Sequence, residues 1–427
     1  MIRFLSLWWA IILVFCMIKG TIAGEARRAF WQNEEYAPGE IIVKFKSGFS
    51  TPSQKTSDKI AGVILIQELG LIGAQRIRLP EGTSVQDAVH DYNADPQVEY
   101  AEPNYKVYPL LTPNDTFFSE LWGLRNIGQT VDGDLGTSDA DIDAPEAWDI
   151  KTGSSSVIIA VIDTGIDYTH PDLSANIWTN TGEIAGNGLD DDSNGYIDDI
   201  RGWDFYNGDN SVYDEDDMDY HGTHVAGTIA GVGNNSTGVA GVCWTAKIMP
   251  LKFLGPFGGF TSDAILAIEY AVNKSANIMS NSWGGGAFSQ ALKDAIDAAG
   301  TAGILFVAAA GNDGADNDAD PAYPASYTSD NIIAVAATDN DDRLASFSNY
   351  GATSVDVGAP GVNIYSTFPP ALGLGSYYYL DGTSMATPHV SGLAGLLKAQ
   401  FTSLDDAGLK GRILATVDAV SSLSDKS

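Results

Sequence analysis

Cysteine and basic side chains are scarce in this chain. Its 427 residues include two cysteines, and 23 lysines and arginines stand against 55 aspartates and glutamates, which gives a formal net charge of −32. So few cysteines exclude a disulfide framework, and an extracellular protein without one needs another kind of cross-link, of which bound metal ions are an example. The acidic excess disfavours nucleic acid and anionic membranes as partners and favours cations.

Long apolar runs are absent too, with one exception at the N-terminus. There, residues 4–18 are predominantly apolar, preceded by Met1-Ile-Arg3 and followed by the small-residue exit Thr21-Ile-Ala23. This run of 15 residues is shorter than the roughly 20 that a membrane-spanning helix needs. The pattern predicts a secretory signal peptide at 1–23 and an extracellular protein, and an uncleaved membrane anchor is the alternative.

Removal of that peptide would leave one thiol. Cys16 would be lost with it, and Cys243 lies in the apolar run Val242-Cys-Trp-Thr-Ala246. We therefore predict that Cys243 is a buried structural thiol and not a reactive one.

The rest of the chain divides by pattern into a small and a large region. In the small one, 39–45 and 98–108 have strand character and 85–92 has helical character, which predicts an α+β unit. In the large one, apolar strand-like runs alternate with helices rich in small residues, from 157–162 to 385–400. This alternation predicts an α/β fold with a mostly parallel sheet and helices on both faces. Such sheets gather functional residues at the carboxyl ends of their strands.

Chemically useful side chains stand at the ends of four predicted elements. Asp163 ends an apolar strand, Asn312 follows another, and His221 and Ser384 each begin a helix. For any one of them alone, a turn or a helix cap is the simpler interpretation. Together, Asp, His and Ser are the components of acyl transfer, and the Asn312 amide is of the kind that binds an oxyanion. The helix N-terminus at Ser384 favours developing negative charge.

Two further histidines compete with His221 for a role. The alternative to a catalytic His221 is a metal site formed by His221 and His224. No third ligand at helical spacing accompanies this pair, as a catalytic zinc site would need. We expect His224 to face away from the site or to lie beneath it. On the helix of Ser384, we expect His389 to make a packing or capping contact.

Four motifs carry a resemblance to a known family. They are Val161-Ile-Asp163-Thr-Gly-Ile-Asp167, His221-Gly-Thr-His-Val-Ala-Gly227, Ala308-Ala-Ala-Gly-Asn312 and Gly382-Thr-Ser384-Met-Ala-Thr-Pro-His389. They resemble the subtilisin family of secreted serine endopeptidases, the subtilases, and in particular its thermitase-like members. The resemblance extends over 113–400. It implies a three-layer subtilisin-like fold preceded by a small ferredoxin-like propeptide.

The resemblance also implies residue roles. Ser384 would be the nucleophile and His221 the general base that takes its proton. Asp163 would orient the imidazole, and the Asn312 side chain with the Ser384 backbone N–H would hold the oxyanion. The implied activity is hydrolysis of peptide bonds in proteins through an acyl-enzyme. A catalytically inactive, calcium-dependent binding module of the same fold is the alternative.

The segment 279–286 resembles the strand on which this family binds extended peptides by backbone pairing. The implied substrate-binding residues are Ser282, Trp283 and Gly284 on one wall, with Gly311 and Ala322 at the border of the pocket for the residue before the scissile bond. Since no charge is visible there, we expect tolerance for apolar and medium-sized side chains.

Two loops resemble calcium sites, which offer roughly six to eight oxygen ligands. Residues 234–239 resemble the strongest calcium loop of the family, and an Asn-rich turn is the alternative. Residues 190–199 follow the first half of an EF-hand loop, but Arg201 stands where the last glutamate would be. The implied ligands are Asp115, Asp172, Gly233, Asn235, Thr237 and Val239 in the first site, and Asp190, Asp192, Asn194, Tyr196 and Asp199 in the second. The acidic run 214–219 is interpreted as a solvated surface loop.

The resemblance further identifies 25–110 as an inhibitory and folding propeptide and 112–427 as the catalytic domain. Self-cleavage near Leu110 or Leu111 would separate them, and a parallel sheet benefits from a folding aid because its non-local contacts form slowly. The implied partners are protein and peptide substrates and the chain's own propeptide, without nucleic acid or stable membrane insertion, and we expect a monomer. The family commonly continues beyond the position of Ser427, so a truncated C-terminus stays open.

Overall fold

A computed structural model of the protein describes residues 36–46, 60, 62–105, 111–217 and 219–427. The chain divides into two compact units, Met1–Pro109 and Leu110–Ser427. The predicted signal peptide at 1–23 and Leu110, one of the two predicted cleavage positions, lie outside the described residues, whereas Leu111 is described.

The first unit is an antiparallel sheet with a helix packed against it. Its described elements are β1 (Tyr36–Phe45), β2 (Ile64–Leu69), β3 (Ala74–Arg78), α1 (Val85–Asn93) and β4 (Val98–Tyr105), with the sheet order β2-β3-β1-β4. Ile41 and Val43 of β1 are both fully buried in its core, because alternate residues of a strand face the same side. The order and the placement of α1 are ferredoxin-like, and the connection from β1 to β2 falls mostly outside the described residues.

The second unit holds the remaining elements. Its strands are β5 (Thr130–Val131), β6 (Asp134–Leu135), β7 (Ile158–Asp163), β8 (Trp203–Asp204), β9 (Lys247–Lys252), β10 (Ile278–Asn281), β11 (Leu305–Ala309), β12 (Ile332–Thr338), β13 (Val357–Pro360), β14 (Ile364–Thr367) and β15 (Tyr377–Leu380). Its helices are α2 (Ala144–Trp148), α3 (His221–Ala230), α4 (Thr261–Asn273), α5 (Gln290–Thr301), α6 (Thr383–Gln400) and α7 (Asp406–Thr416). In the described part of the chain, none of the helices combines the length and the apolar character that crossing a bilayer requires.

Seven strands of this unit form one parallel sheet, in the order β13-β12-β11-β10-β7-β9-β8. Alternate residues of its strands enter two separate cores. On β7, Ile159 and Val161 join the core that contains α3 and α6, whereas Ala160 and Ile162 join the core that contains α4 and α5. The sheet therefore lies between two helical layers, and the predicted three-layer α/β fold is confirmed.

Polar residues collect where the central strands end. β7 ends at Asp163 and β10 at Asn281, and Asn312 follows the end of β11. Because the strands are parallel, these positions lie at one edge of the sheet. The first residues of α3 and α6 are hydrogen-bonded to this edge, through Gly222 to Thr164 and through Thr383 to Asn312.

Candidate active site

Asp163 and His221 form a hydrogen-bonded pair at the carboxyl edge of the sheet. Asp163 is buried, and Nδ1 of His221 lies 2.7 Å from its Oδ1. This approach depends on the glycine after the histidine. A Cβ on Gly222 would lie 2.4 Å from the Gly165 carbonyl oxygen and 3.2 Å from Oδ1 of Asp163. Only a glycine therefore lets the start of α3 touch the end of β7.

The carboxylate raises the pKa of His221. Burial of the imidazole lowers that pKa, but the charge and the hydrogen bond of Asp163 together outweigh burial, so the net shift is upward. The His221 side chain is 25% exposed. Since Nδ1 faces the buried carboxylate, an edge of the ring stays open to solvent. An imidazole held in this way at Nδ1 can accept a proton at Nε2.

Ser384 is the second residue of α6, and the N-cap of this helix is Gly382. Gly382 has a φ of 152°, and its carbonyl accepts the N–H of Met385 at 2.9 Å. The N–H groups of a first helical turn lack helical partners and carry the positive end of the dipole, so the Ser384 amide is available to an anion. The Ser384 hydroxyl donates to the carbonyl oxygen of Ser282 at 3.0 Å, and the described hydrogen bonds include none between it and His221.

A proline inside α6 leaves a carbonyl to which Ser282 is hydrogen-bonded. Pro388 has no N–H, so the carbonyl of Ser384, four residues earlier, has no helical donor. The hydroxyl of Ser282 donates to that carbonyl at 2.9 Å. Ser282 and Ser384 thus exchange two hydrogen bonds, which fixes the segment after β10 beside the N-terminus of α6.

Asn312 lies against the same helix N-terminus. Its Oδ1 accepts hydrogen bonds from both the backbone N–H and the hydroxyl of Thr383, each at 2.9 Å. The Thr383 hydroxyl in turn accepts the N–H of Gly311 at 3.2 Å. Because these bonds use the amide oxygen, Nδ2 of Asn312 is left as a donor next to the first turn of α6.

The other two histidines of this region have structural contacts. Nε2 of His224 lies 3.0 Å from carbonyl oxygens of both β14 and β15, and burial lowers its pKa to about 3. Nδ1 of His389 lies 2.9 Å from the Met385 carbonyl oxygen, and burial lowers its pKa to about 4. In the described part of the chain, the group of side chains suited to a metal contains no histidine. The alternative of a His221–His224 metal pair therefore has no support.

Comparison with known families places these residues in a recognised domain. The model of the subtilase family, Peptidase S8, matches residues 154–426, which include Asp163, His221, Asn312 and Ser384. The chain belongs to the subtilase family. It is a serine-type endopeptidase and hence a hydrolase. The model of the fervidolysin N-terminal prodomain matches residues 29–104, so the first unit of this subtilase contains the prodomain of a zymogen.

Relatives of this subtilase include enzymes similar along most of its length. It is 38% identical over 387 residues to the thermophilic serine proteinase of Bacillus sp. (strain AK1), covering 90% of this chain and 84% of the relative. It is 40% identical over 311 residues to thermitase of Thermoactinomyces vulgaris, covering 73% of this chain and 93% of thermitase. A solved protease of Pseudoalteromonas arctica PAMC 21717 matches with a TM-score of 0.57 and 32% identity, covering 73% of this chain and 94% of that chain. The predicted family, fold class and enzyme class of the subtilase are confirmed.

The predicted substrate wall follows β10. Ser282 is bonded to α6 as described, and the backbone N–H of Gly285 donates to the Tyr323 carbonyl at 3.0 Å. Gly284 lies beside the same carbonyl, since a Cβ there would be 3.3 Å from it. The Trp283 ring instead packs inward against Phe253, with ring centroids 4.9 Å apart. Trp283 can therefore serve the cleft mainly through its backbone.

The predicted pocket border involves Gly311 and Ala322. Gly311 has a φ of +113°, and a Cβ there would lie 2.5 Å from Nδ2 of Asn349. The N–H of Ala322 donates to the Ser326 hydroxyl at 3.1 Å, and its carbonyl accepts the N–H of Ser326 at 2.8 Å. The backbone at both positions is hydrogen-bonded, and neither position carries a charged side chain.

The first predicted calcium loop surrounds two buried carboxylates, Asp115 and Asp172. Asn235 joins them, because its backbone N–H donates to Asp115 at 3.2 Å and its side-chain amide donates to Asp172 at 2.7 Å. The N–H of Val239 also donates to Asp172, at 2.8 Å, and the N–H of Thr237 donates to Oδ1 of Asn235 at 2.7 Å. Burial raises the pKa of both carboxyl groups.

Two neighbours complete this loop. Gly233 has no room for a side chain, because a Cβ would lie 2.3 Å from the Trp244 ring. The Tyr377 hydroxyl donates to Asp172 at 3.0 Å. Tyr377 lies on β15, and no local pattern in the sequence predicted its contact. Buried carboxylates, an amide oxygen and loop carbonyls are the hard oxygen donors that calcium prefers, so the residues present fit the ion.

The second predicted calcium loop has an internal network. Asp190 accepts the N–H groups of Asn194 at 3.0 Å and of Gly195 at 2.8 Å. The N–H of Tyr196 donates to Oδ1 of Asn194 at 2.7 Å, and the Asn194 amide donates to Asp199 at 2.8 Å. Residues 190–199 therefore form a turn in which side-chain oxygens accept hydrogen bonds from backbone N–H groups.

Asp192 and Asp199 of this loop converge with Glu183, which precedes the predicted pattern. One ligand oxygen from each of the three lies within 4.8 Å of the others, and Asp190 is not in this group. Glu183 and Asp199 are buried, whereas Asp192 is half-buried. Sequence reasoning missed Glu183 because it stands in the turn before the loop, where no spacing rule marks it.

The interpretation of 214–219 as a solvated loop is wrong for Asp219. Asp219 and Lys252 are both 0% exposed, and Nζ of Lys252 lies 2.6 Å from Oδ1 of Asp219. The ammonium group also donates to the carbonyl oxygens of Thr164 at 2.7 Å and Leu254 at 3.0 Å. Burial raises the pKa of the Asp219 carboxyl, and the lysine opposes that rise.

The reason lies in the sheet. Lys252 ends β9 directly beside Asp163 of β7, so its charge is carried into the interior. A buried ammonium requires an anionic partner, and Asp219 provides it from the turn before α3. The available sequence signal was a lysine directly after the apolar run Ile248-Met-Pro-Leu251.

We expect Lys252→Met to destabilise the catalytic unit by about 3–5 kcal/mol, because Asp219 would stay buried without its partner. Urea unfolding of the variant, in an inactive background that prevents autolysis, measures the loss. Removing both charges in Lys252→Met/Asp219→Asn should restore part of the stability.

The matched control is Lys293→Met. Lys293 pairs with Asp297 on the surface at 2.7 Å, with side-chain exposures of 19% and 44%, and such pairs contribute at most about 1 kcal/mol. Equal losses for Lys252→Met and Lys293→Met would contradict the structural role of the buried pair.

Proposed function

We propose that this subtilase cleaves peptide bonds by nucleophilic attack of Ser384, with His221 as general base and Asp163 as its orienting carboxylate. The observation that carries the proposal is the 2.7 Å contact between His221 Nδ1 and Asp163, at the sheet edge where α6 presents Ser384. That contact keeps a proton on Nδ1, which leaves the lone pair of Nε2 to take the serine proton.

The hydroxyl of Ser384 has to leave its partner before it reacts. It donates to the Ser282 carbonyl in the free protein, and rotation about its Cα–Cβ bond redirects it toward His221. Catalytic hydrogen bonds commonly tighten only when substrate is bound. After attack, the imidazolium of His221 gives its proton to the leaving amine, and water hydrolyses the acyl-enzyme by the same route in a second step.

The oxyanion formed by attack is held by two donors. One is Nδ2 of Asn312, whose oxygen is already fixed on Thr383. The other is the N–H of Ser384 at the positive end of α6. Donors that are oriented before reaction stabilise developing charge without a reorganisation cost, and this is usually the largest contribution to catalysis.

Extended peptides are the substrates in this proposal. They pair with the backbone of residues 282–284 as an added strand, which recognises the main chain more than its sequence. Gly311 and Ala322 border the pocket for the side chain before the scissile bond. Without a charged residue at that border, apolar and medium-sized side chains are accepted.

The subtilase is made as a precursor in this proposal. Residues 1–23 direct secretion, 25–110 form the prodomain, and 112–427 form the peptidase. Cleavage near Leu110 or Leu111 by the peptidase itself releases the prodomain.

Calcium supports the folded peptidase in two loops. Asp115, Asp172 and Asn235 with the carbonyls of 233, 237 and 239 hold one ion, and the loop 190–199 holds another through Asp190, Asp192, Asn194, Tyr196 and Asp199. The ion supplies positive charge to carboxylates that are buried or crowded, and it takes no part in peptide hydrolysis.

A serine-directed covalent inhibitor such as a fluorophosphonate tests the peptidase against its rival, an inactive binding module. Labelling of the prodomain-free protein at Ser384, mapped by peptide mass spectrometry and lost in Ser384→Ala, is the expected result. A folded sample without the prodomain that takes up no label would contradict the proposed role of Ser384 as the nucleophile.

Removal of calcium by a chelator is expected to lower Tm by several degrees, since an ion bound only to the folded state stabilises it by mass action. Calorimetry of the Ser384→Ala protein with and without chelator measures the shift. Asp172→Asn should show a smaller shift than its parent, because the first loop is already weakened. An identical melting curve in the presence of chelator would refute the calcium proposal.

A further inference from the structure

The turn at Glu183 holds a carboxylate oxygen with no partner. Glu183 is 9% exposed, and its Oε2 has no hydrogen-bond partner among the described residues. Its other oxygen accepts the N–H groups of Asp191 at 2.9 Å and of Asp192 at 3.1 Å. Those bonds fix the carboxylate against the loop. A buried, unpaired carboxylate oxygen costs free energy unless a cation or a donor meets it.

Glu183 belongs to a group of three carboxylates held together by the fold. The other two are Asp192 and Asp199, and one oxygen from each of the three lies within 4.8 Å of the others. The amide of Asn180 bridges the two aspartates, donating to Asp192 at 3.0 Å and to Asp199 at 2.7 Å. The chain also leaves room for them, since a Cβ on Gly182 would lie 2.9 Å from Oδ2 of Asp192. The fold of this turn therefore holds the negatively charged carboxylates close to one another.

A lysine only partly neutralises this group. Lys274, the residue directly after α4, forms an ion pair with Asp192 and lies 3.8 Å from Asp199. Tyr270, one turn earlier on the same helix face, donates its hydroxyl to Asp199 at 2.5 Å. One ammonium beside three carboxylates leaves two negative charges uncompensated, and Glu183 Oε2 without a partner. A divalent cation supplies the missing charge.

We propose that Glu183 binds a divalent cation together with Asp192 and Asp199, and that the ammonium group of Lys274 competes with this cation for Asp192. Glu183 thus extends the calcium loop at 190–199 with a carboxylate from outside its pattern. The lysine sets the affinity, because the ion has to displace it or share its carboxylate. The site therefore exchanges one counter-charge for another, and at low calcium the lysine stays paired with Asp192. The inference builds on the calcium proposal for this loop and does not depend on peptidase activity.

Terbium luminescence tests this site in the full-length Ser384→Ala chain. Terbium replaces calcium, and emission excited through tyrosine reports it where Tyr270 lies beside Asp199. The affinity for terbium is measured from the emission that calcium displaces. Glu183→Gln should weaken this affinity by roughly tenfold or more, because an anionic ligand is lost. Lys274→Met should strengthen the affinity by roughly tenfold, because a competing positive charge is removed.

Glu269→Gln is the matched control. Glu269 is exposed on α4, so its substitution changes the net charge as Glu183→Gln does without removing a proposed ligand. The first calcium loop, with Tyr377 at Asp172, contributes the same background in every variant.

Two outcomes would overturn the inference. If Glu183→Gln changes terbium affinity no more than Glu269→Gln does, Glu183 is not a ligand. If Lys274→Met leaves the affinity unchanged or weakens it, the lysine supports the turn and does not compete with an ion. Circular dichroism checks that each variant is folded, and Asp192→Asn, which should also weaken terbium binding, replaces Glu183→Gln if that variant does not fold. Because binding is measured in an inactive chain, these failures leave the peptidase proposal untouched.

Discussion

Ser384→Ala is expected to lower kcat by about six orders of magnitude, the size of loss known for the nucleophile of subtilisin. Without the hydroxyl no acyl-enzyme forms, and the remaining rate reflects the oxyanion donors and substrate binding. A chromogenic peptide assay on protein freed from its prodomain by an unrelated protease, which is then removed, measures the change. Ser391→Ala is the control, because it removes a buried hydroxyl from the same helix without touching Ser384, and its kcat should stay within a few-fold of wild type.

The same substitution tests self-processing. A Ser384→Ala precursor, purified without other proteases, should keep the bond near Leu110 intact while the wild-type chain is cut there. The cut follows from the proposal that the nucleophile of the chain itself attacks this bond. Equal processing of the variant and wild type would show that another enzyme releases the prodomain.

Asp163→Asn is expected to lower kcat by about four orders of magnitude, as the loss of this carboxylate does in serine proteases with the same triad. An amide cannot hold the His221 tautomer that leaves Nε2 free, and it cannot stabilise the imidazolium. The variant should also shift the acid limb of kcat/KM. Activity rises with pH as His221 loses its proton, and Asp163 raises the pKa of that histidine against the effect of burial. Removing the carboxylate therefore moves the limb to lower pH.

A pH series of kcat/KM measures both effects of Asp163→Asn. Asp297→Asn is the control, because Asp297 is an exposed carboxylate on α5, on the opposite face of the sheet from α3. It should change neither the rate nor the limb. An acid limb that stays in place or moves upward in Asp163→Asn would show that the carboxylate does not govern the titration of His221.

The residues of the proposed triad could be predicted because each one belongs to a short, local pattern. Asp163 ends an apolar strand, and His221 and Ser384 begin helices next to glycines that the structure requires. Parallel strands bring such ends to one edge, so the prediction of the fold also predicted their proximity. The residues of the first proposed calcium loop were also named from a local pattern, since Asn235, Thr237 and Val239 lie in one turn.

The contacts between distant segments could not be predicted. Tyr377 reaches Asp172 across 205 positions of sequence, and Lys274 reaches Asp192 across 82. Asp219 was misread because its acidic neighbours suggested a solvated loop, while its partner Lys252 lies 33 positions away. Burial decided the role of each residue, and burial depends on the packing of whole elements.

The sequence by itself determined the family and the three-layer fold, and it singled out Asp163, His221, Asn312 and Ser384 as the proposed catalytic residues, because strand ends, helix starts and glycine positions are local features. The tertiary structure decided which charges are buried and what compensates them. In that structure Ser282 donates to the Ser384 carbonyl, which Pro388 leaves without a helical donor. Asp219 neutralises the buried Lys252, and Glu183 lies close to two aspartates. These arrangements depend on distances between segments, and a spacing along the chain does not specify them.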